Sequence, residues 1–281
     1  MSRLLVVNAD DMGLTPGICR AVRRGHADGV VTSTSVLAVG GAFEQAAATL
    51  RDAEGLGVGA HLAIVGEDRP LLSAREVPTL VNAEGRFPLS YRTVVARGLA
   101  GRIDPGDVAR EFAAQLERVR GIGVPVTHLD THQHTHLWPA VAGVVVELAR
   151  AHGIGCVRLP ASRRRGPVGT GVRLLAGRLH RRLAATGLAT TDGYAGLDEA
   201  GRLDETRFAA ALHALTGEGA GTAEINTHPG EAGEAELARF DWGGYRWGDE
   251  LAMLTAPSTR ALVDRLGWRL GSFADVAGAT A

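Results

Sequence analysis

The stretch Leu4-Leu5-Val6-Val7-Asn8-Ala9-Asp10-Asp11 decides how this chain is to be read. Four apolar residues in a row suit a strand buried on both faces, and the polar residues after them bring its C-terminal end to a loop. Thr15-Pro16 then opens a helix, with threonine as N-cap and proline at the first helical position, and Gly29 closes it. Working outward, the pattern repeats. Residues 30–39, 56–62, 124–129, 156–159 and 222–226 read as strands, and residues 42–52, 105–120, 139–152, 205–215 and 258–266 as helices. Alternation of this kind predicts an α/β fold with a parallel sheet, open or closed into a barrel. The 281 residues suit one domain spanning the whole chain. Two stretches, 66–91 and 160–196, lack clear periodicity and are expected to be irregular insertions beside the site.

Composition removes several function classes. The 30 basic residues are all arginine, so a phosphate-loop NTPase and a Schiff-base enzyme, which need a lysine, do not fit. A net charge of −1 gives no reason to expect nucleic acid as a partner. Residues 158–182 hold eight arginines and no acid but lack interleaved aromatics, which suits a solvated face or an anion-binding surface. No run approaches 18 apolar residues and the apolar start is too short for a signal peptide, so no membrane span is expected and the cytoplasm is the expected location. Cys19 and Cys156 make no disulfide framework. Nothing fixes the oligomeric state, and a homodimer stays open.

The chemistry-bearing residues recur at one kind of place. Asp10-Asp11, His61, His132 and His228 all follow predicted strands, and parallel α/β folds collect ligands and catalytic groups at the carboxyl ends of strands. Adjacent carboxylates on extended backbone point in different directions, so one can hold an ion while the other acts as base. Taken alone, the pair better suits an exposed turn, and His61 alone suits a structural histidine. The run His128-Leu129-Asp130-Thr131-His132-Gln133-His134-Thr135-His136 is different, with four of the chain's 10 histidines and an aspartate within nine residues. Imidazoles with a carboxylate are a common set for zinc and other divalent ions, and a hydrolytic site uses three protein ligands and leaves one position open. His228, in Thr227-His228-Pro229-Gly230, is either a general acid or a structural histidine at a turn. Arg158 follows a strand and is placed to orient Asp10. Trp138, Trp242 and Trp247 are candidates to stack on a sugar ring.

These motifs resemble the YdjC-like carbohydrate deacetylases, a family that includes chitooligosaccharide deacetylases and hopanoid-biosynthesis-associated deacetylases. Val7-Asn8-Ala9-Asp10-Asp11-Met12-Gly13-Leu14, Val31-Thr32-Ser33-Thr34-Ser35, Gly59-Ala60-His61-Leu62, the run 127–136 and Thr227-His228-Pro229-Gly230 carry the resemblance, in order, over most of the chain. Met12 stands where the family usually has phenylalanine. The resemblance implies a distorted (β/α) TIM-like barrel and one divalent ion, magnesium or zinc, held by Asp11, His61 and His132. It further implies Asp10 as base, His228 as candidate acid and an N-acetylated amino sugar as substrate, with acetate released. His128, His134 and His136 then support the ligands or touch substrate. The rival readings are another metal-dependent amidase or phosphatase on the same barrel, the latter using two ions, and a metal- or sugar-binding module without activity.

Overall fold

The apolar run that opens the chain becomes the hub of a parallel sheet. The structure is a computed structural model describing residues 3–240 and 242–279. Its strands are β1 (Arg3–Met12), β2 (Ser33–Val36), β3 (Gly57–Leu62), β4 (Val126–Thr131), β5 (Cys156–Val157), β6 (Gly193–Ala195), β7 (Thr222–Thr227) and β8 (Trp268–Leu270). The order is β5-β4-β3-β2-β1-β7-β6, and every pairing is parallel. Along β1, Leu4–Ala9 pairs with β7 on one edge, while the other edge takes β8 at its first residues and β2 further on. This three-way pairing explains why β1 is buried from Leu4 to Met12.

The sheet curls into a distorted barrel. Arg158, one residue past β5, donates to Asp10 on β1 and Glu224 on β7, four and five places along the sheet. At ~4.8 Å per strand a flat sheet would hold β5 and β1 roughly 19 Å apart. A single parallel bridge from Cys156 on β5 to Ala189, in the segment leading into the other edge strand β6, nearly closes the ring.

Helices α1 (Pro16–Ala27), α2 (Phe43–Arg51), α3 (Tyr91–Leu99), α4 (Pro105–Arg120), α5 (Pro139–Ala151), α6 (Pro167–Thr186), α7 (Glu205–Gly217), α8 (Trp247–Thr255), α9 (Pro257–Arg265) and α10 (Phe273–Ala279) complete the fold. The expected cap is present: Thr15 Oγ1 accepts from Ile18 N, with Pro16 behind it. Cys19 and Cys156 are buried and free. Among the described residues, no helix is long and apolar enough to cross a membrane.

The two insertions differ. Residues 66–90 carry no helix or strand, as expected, but they are pinned from below by one polar face of α4. Glu111 accepts from Leu71 N and Leu72 N, Asp107 from Thr79 N and Oγ1, and Gln115 clamps both the N–H and the C=O of Ala63. The second stretch is not irregular. Its centre is the 20-residue α6, which buries only Gly169, Ala176, Leu179 and Leu183. Its apolar positions Val172, Ala176, Leu179 and Leu183 do recur at helical spacing, but three glycines and eight arginines in and before the helix mask them. Helices α3, α8 and α10 and strands β6 and β8 also went unanticipated.

Candidate metal and catalytic site

The expected site residues meet at the C-terminal ends of β1, β3, β4 and β7. Asp10, Asp11, His61, His132 and His228 line one cavity of 340 Å³, together with His134, Trp242 and Tyr245. Alternation along a regular strand would send Asp10 and Asp11 to opposite faces. The β1–β2 register shifts between Ala9 and Met12, and Asp11 takes the left-handed region at φ 63°. That irregularity turns both carboxylates to the barrel mouth. Strained backbone of this type concentrates where function over-determines it. It recurs at Gln133 and His134, at φ 51° and 53°, where the chain turns from β4 into the short 3₁₀ helix His132–Leu137. Gln133 compensates by tying down the insertion: its Oε1 accepts from Tyr91 N and its Nε2 donates to Leu89 O.

Three atoms converge. Asp11 Oδ1 lies 3.1 Å from His132 Nδ1 and 3.4 Å from His61 Nε2, and the two nitrogens are 3.3 Å apart. These spacings match the roughly 3.3 Å edge of a tetrahedron with bonds of about 2.0–2.1 Å, as zinc makes to imidazole and carboxylate. Asp11 Oδ1 is buried without a hydrogen-bond partner of good geometry, a position that an ion would satisfy. Two imidazoles and one carboxylate, with a fourth direction toward the cavity, are the donor set of an open hydrolytic centre. Burial works against the charge on Asp11, but His132 first and then His61 outweigh it and hold the carboxyl well below its usual range. Burial likewise works against the imidazolium of His61, yet Asp130, Asp10 and Asp11 together raise it to about 10.

Behind the three atoms lies a buried polar network, of which the sequence reading anticipated only the contact of Arg158 with Asp10. Asp130 Oδ1 accepts from His61 Nδ1 at 2.7 Å, which turns Nε2 toward Asp11. Asp130 Oδ2 takes Ser35 Oγ at 2.7 Å and Arg158 Nη1 at 2.6 Å. Arg158 is fully buried and also grips Asp10 with two N–H groups, at 2.8 and 2.6 Å, and Glu224 through Nε at 2.7 Å. One guanidinium thus serves three carboxylates. Burial raises Glu224 to about 8 against the lowering pull of Arg158. Asp10, His61 and Asp130 also approach closely enough to hold an ion. Arg158 already supplies the positive charge between Asp10 and Asp130, so the geometry offers one cation position rather than the pair a two-ion phosphatase uses. The alternation His128-Leu129-Asp130, which puts Asp130 on the His128 face, was the available signal for its inward orientation.

The remaining histidines separate. His128 stacks on Phe273 and hydrogen bonds Ser35 and Thr127, and burial lowers it to about 3. His136 bonds Thr131 Oγ1 and the Arg158 carbonyl, and burial lowers it to about 4. Neither lines the cavity, whereas His134 does, with its Nε2 3.4 Å from Tyr194 Oη. His228 packs edge-on to Tyr245, its Nδ1 has no partner, and its backbone N–H donates to Glu250 at 2.6 Å. Of the tryptophans, Trp242 lies over His132 at 5.3 Å, Trp138 lines a neighbouring cavity, and Trp247 packs in an aromatic cluster with Trp242 and Tyr245.

Comparisons with known proteins give the family and the fold. The family model described as YdjC-like protein matches residues 4–265. A carbohydrate deacetylase of Geobacillus stearothermophilus is 35% identical over 270 residues, 96% of each chain. A chitooligosaccharide deacetylase of Serratia marcescens is 30% identical over 277 residues, 98% of this chain and 100% of that one. Among solved structures, an Enterococcus faecalis V583 protein superposes with a TM-score of 0.81 at 22% identity, covering 98% of this chain and 99% of that one, a likeness of fold. Matched along nearly its full length, the chain belongs to the YdjC-like family.

Proposed function

We propose that this protein is a carbohydrate N-deacetylase that uses one divalent ion to remove the acetyl group from an N-acetylglucosamine-type sugar, giving acetate and a free amine. The observation that carries the reading is the convergence of Asp11, His61 and His132 on one point of a cavity wall. Relatives matched over their full length, and named carbohydrate and chitooligosaccharide deacetylases, support the substrate class. Two imidazoles and a carboxylate favour zinc over magnesium, which takes oxygen ligands.

An ion on these three residues supplies Lewis-acid charge at the acetyl carbonyl and acidifies water. The other tasks fall to side chains of the barrel. Asp10 is the base. Its Oδ1 already accepts from Arg158 Nη2 and Asn8 Nδ2, so Oδ2, which accepts only Arg158 Nη1, keeps a lone pair for the attacking water's proton. Arg158 fixes the plane of that carboxylate. His228 gives a proton to the departing amine. Burial lowers its pKa while Asp11 and Asp10 draw it up, which makes the imidazolium a stronger acid than a free one. Trp242, over His132, forms a flat wall for a sugar ring.

The test is release of acetate and free amine from N-acetylglucosamine and its β-1,4 oligomers by zinc- or magnesium-loaded protein. Equimolar products, lost on chelation and restored by the ion, are expected. No release from any of these sugars with either ion contradicts the reading.

A further inference from the structure

We propose that Glu250 is a positioning residue for the acid step: it holds His228 from behind, at the angle from which the imidazole reaches the departing amine. This rests on the deacetylase reading, in which His228 is the acid. Glu250 lies in the first turn of α8 and is fully buried. Its Oε2 accepts from His228 N at 2.6 Å and its Oε1 from Leu203 N at 3.1 Å. These two backbone groups are all that favours its charge, and burial pushes it up to about 8. The two donors sit on different oxygens, so a carboxyl group satisfies both. An amide offers one oxygen and turns its NH2 on the other donor.

The His228 ring lacks the hydrogen bond that commonly fixes an imidazole, because its Nδ1 is buried with no partner. Two features remain to set its place. One is its backbone, pinned by Glu250 and by the turn that follows, where Gly230 N donates to Trp247 O at 3.1 Å. The other is the Tyr245 ring, which meets the imidazole edge-on with centroids 5.2 Å apart. Tyr245 rests in turn on Gly201, where a Cβ would come within 2.2 Å of its ring. Segment 201–203 is bound to the same stretch of chain at both ends, by Arg246 N on Gly201 O at 2.7 Å and by Leu203 N on Glu250. Both determinants of the imidazole's place therefore lead back to one carboxyl group. Glu250 does not line the catalytic cavity, so it acts only through these neighbours.

The experiment compares kcat and KM on the N-acetylglucosamine dimer with kcat/KM on 4-nitrophenyl acetate, whose phenolate leaves without a proton. It uses the zinc-loaded parent, His228→Ala, Glu250→Gln and the double variant. On the sugar, His228→Ala is expected to lose about 10²- to 10⁴-fold in kcat. Glu250→Gln, by displacing the ring, should lose about 10- to 100-fold in kcat with KM within about twofold. On the ester it should stay within about threefold of the parent, with its zinc retained. In the double variant Glu250→Gln should cost nothing beyond His228→Ala, since no acid is left to place. An unchanged kcat in Glu250→Gln, equal losses on sugar and ester, or a full further loss in the double variant overturns the inference and leaves deacetylation standing. If the parent does not act on the ester, the double variant decides alone. Full kcat in His228→Ala removes the acid assignment, and no acetate from the parent removes deacetylation; either takes the inference with it. If Glu250→Gln does not fold, Gly201→Ala, which pushes the Tyr245 ring, takes its place in the same measurements, with the same outcomes deciding.

Discussion

Arg158 and Asp10 face each other across the barrel interior, joined by two hydrogen bonds of 2.8 and 2.6 Å, with the guanidinium wholly removed from solvent. The same guanidinium touches Asp130, which orients His61, so the proposed base and a proposed ion ligand are positioned by one cation. Truncating Arg158 would leave three carboxylates buried around a missing charge. Arg158→Ala is expected to destabilise the fold by about 3–5 kcal/mol or more, read as a lowered urea midpoint. Arg158→Lys keeps a charge but cannot make the two-pronged contact, so it should fold and lose kcat.

Asp10 can be separated from its partner. Asp10→Asn preserves the shape and removes the base, with an expected fall of about 10²–10⁴ in kcat. Bound metal should be retained, because Asp10 is not among the three converging ligand atoms. Parallel measurement of kcat and ion content checks both halves, and loss of the ion in this variant would move Asp10 into the ligand set.

Asp130 acts on the ion through His61. Asp130→Asn leaves Ser35 and Arg158 in contact with a neutral amide and weakens the hold on His61 Nδ1. Metal affinity, measured by competition with a chelator, is expected to fall about 10- to 100-fold. Unchanged affinity would show that packing alone orients the His61 ring.

Glu224 gives the pH prediction. Its folded-state pKa, about 8, lies above the ordinary 4.5 because burial penalises the charged form. Its contribution to stability is therefore complete below the unfolded value and is lost as pH rises through about 8, at up to about 1.4 kcal/mol per pH unit. Glu224 Oε2 has no partner, so Glu224→Gln can keep the Arg158 contact at Oε1 and place its amide where nothing is lost. The stability of Glu224→Gln relative to the parent should grow between pH 5 and pH 8, as followed by urea unfolding. A constant difference would mean that Glu224 folds as a carboxylate.

The strands and the site were legible in the sequence to different depths. Buried strands announce themselves as short apolar runs, and those ending in Asp10-Asp11, His61 and His132 point to one rim. What stayed hidden was pairing over long separations. Asp130 and His61 are 69 residues apart, so nothing local says that one orients the other, whereas the place of Arg158 after a strand did point to Asp10, 148 residues away. The bulge at Asp10-Asp11 was hidden too, because it depends on the register of β1 against β2. Helix α6 escaped because glycines and arginines mask its few buried positions, and the face of α4 bearing Asp107, Glu111 and Gln115 looks solvated until the insertion it holds is seen. The separation of His134 from His128 and His136 follows from the turn after β4, which no spacing rule predicts.

The most direct test of the account is the number of zinc ions bound per chain, measured on the parent protein, Asp11→Ala and His132→Ala after loading and desalting. One ion in the parent and none in either variant, with acetate release lost in both, is the predicted result. Retention of one tightly bound ion and full deacetylation in both variants would contradict it.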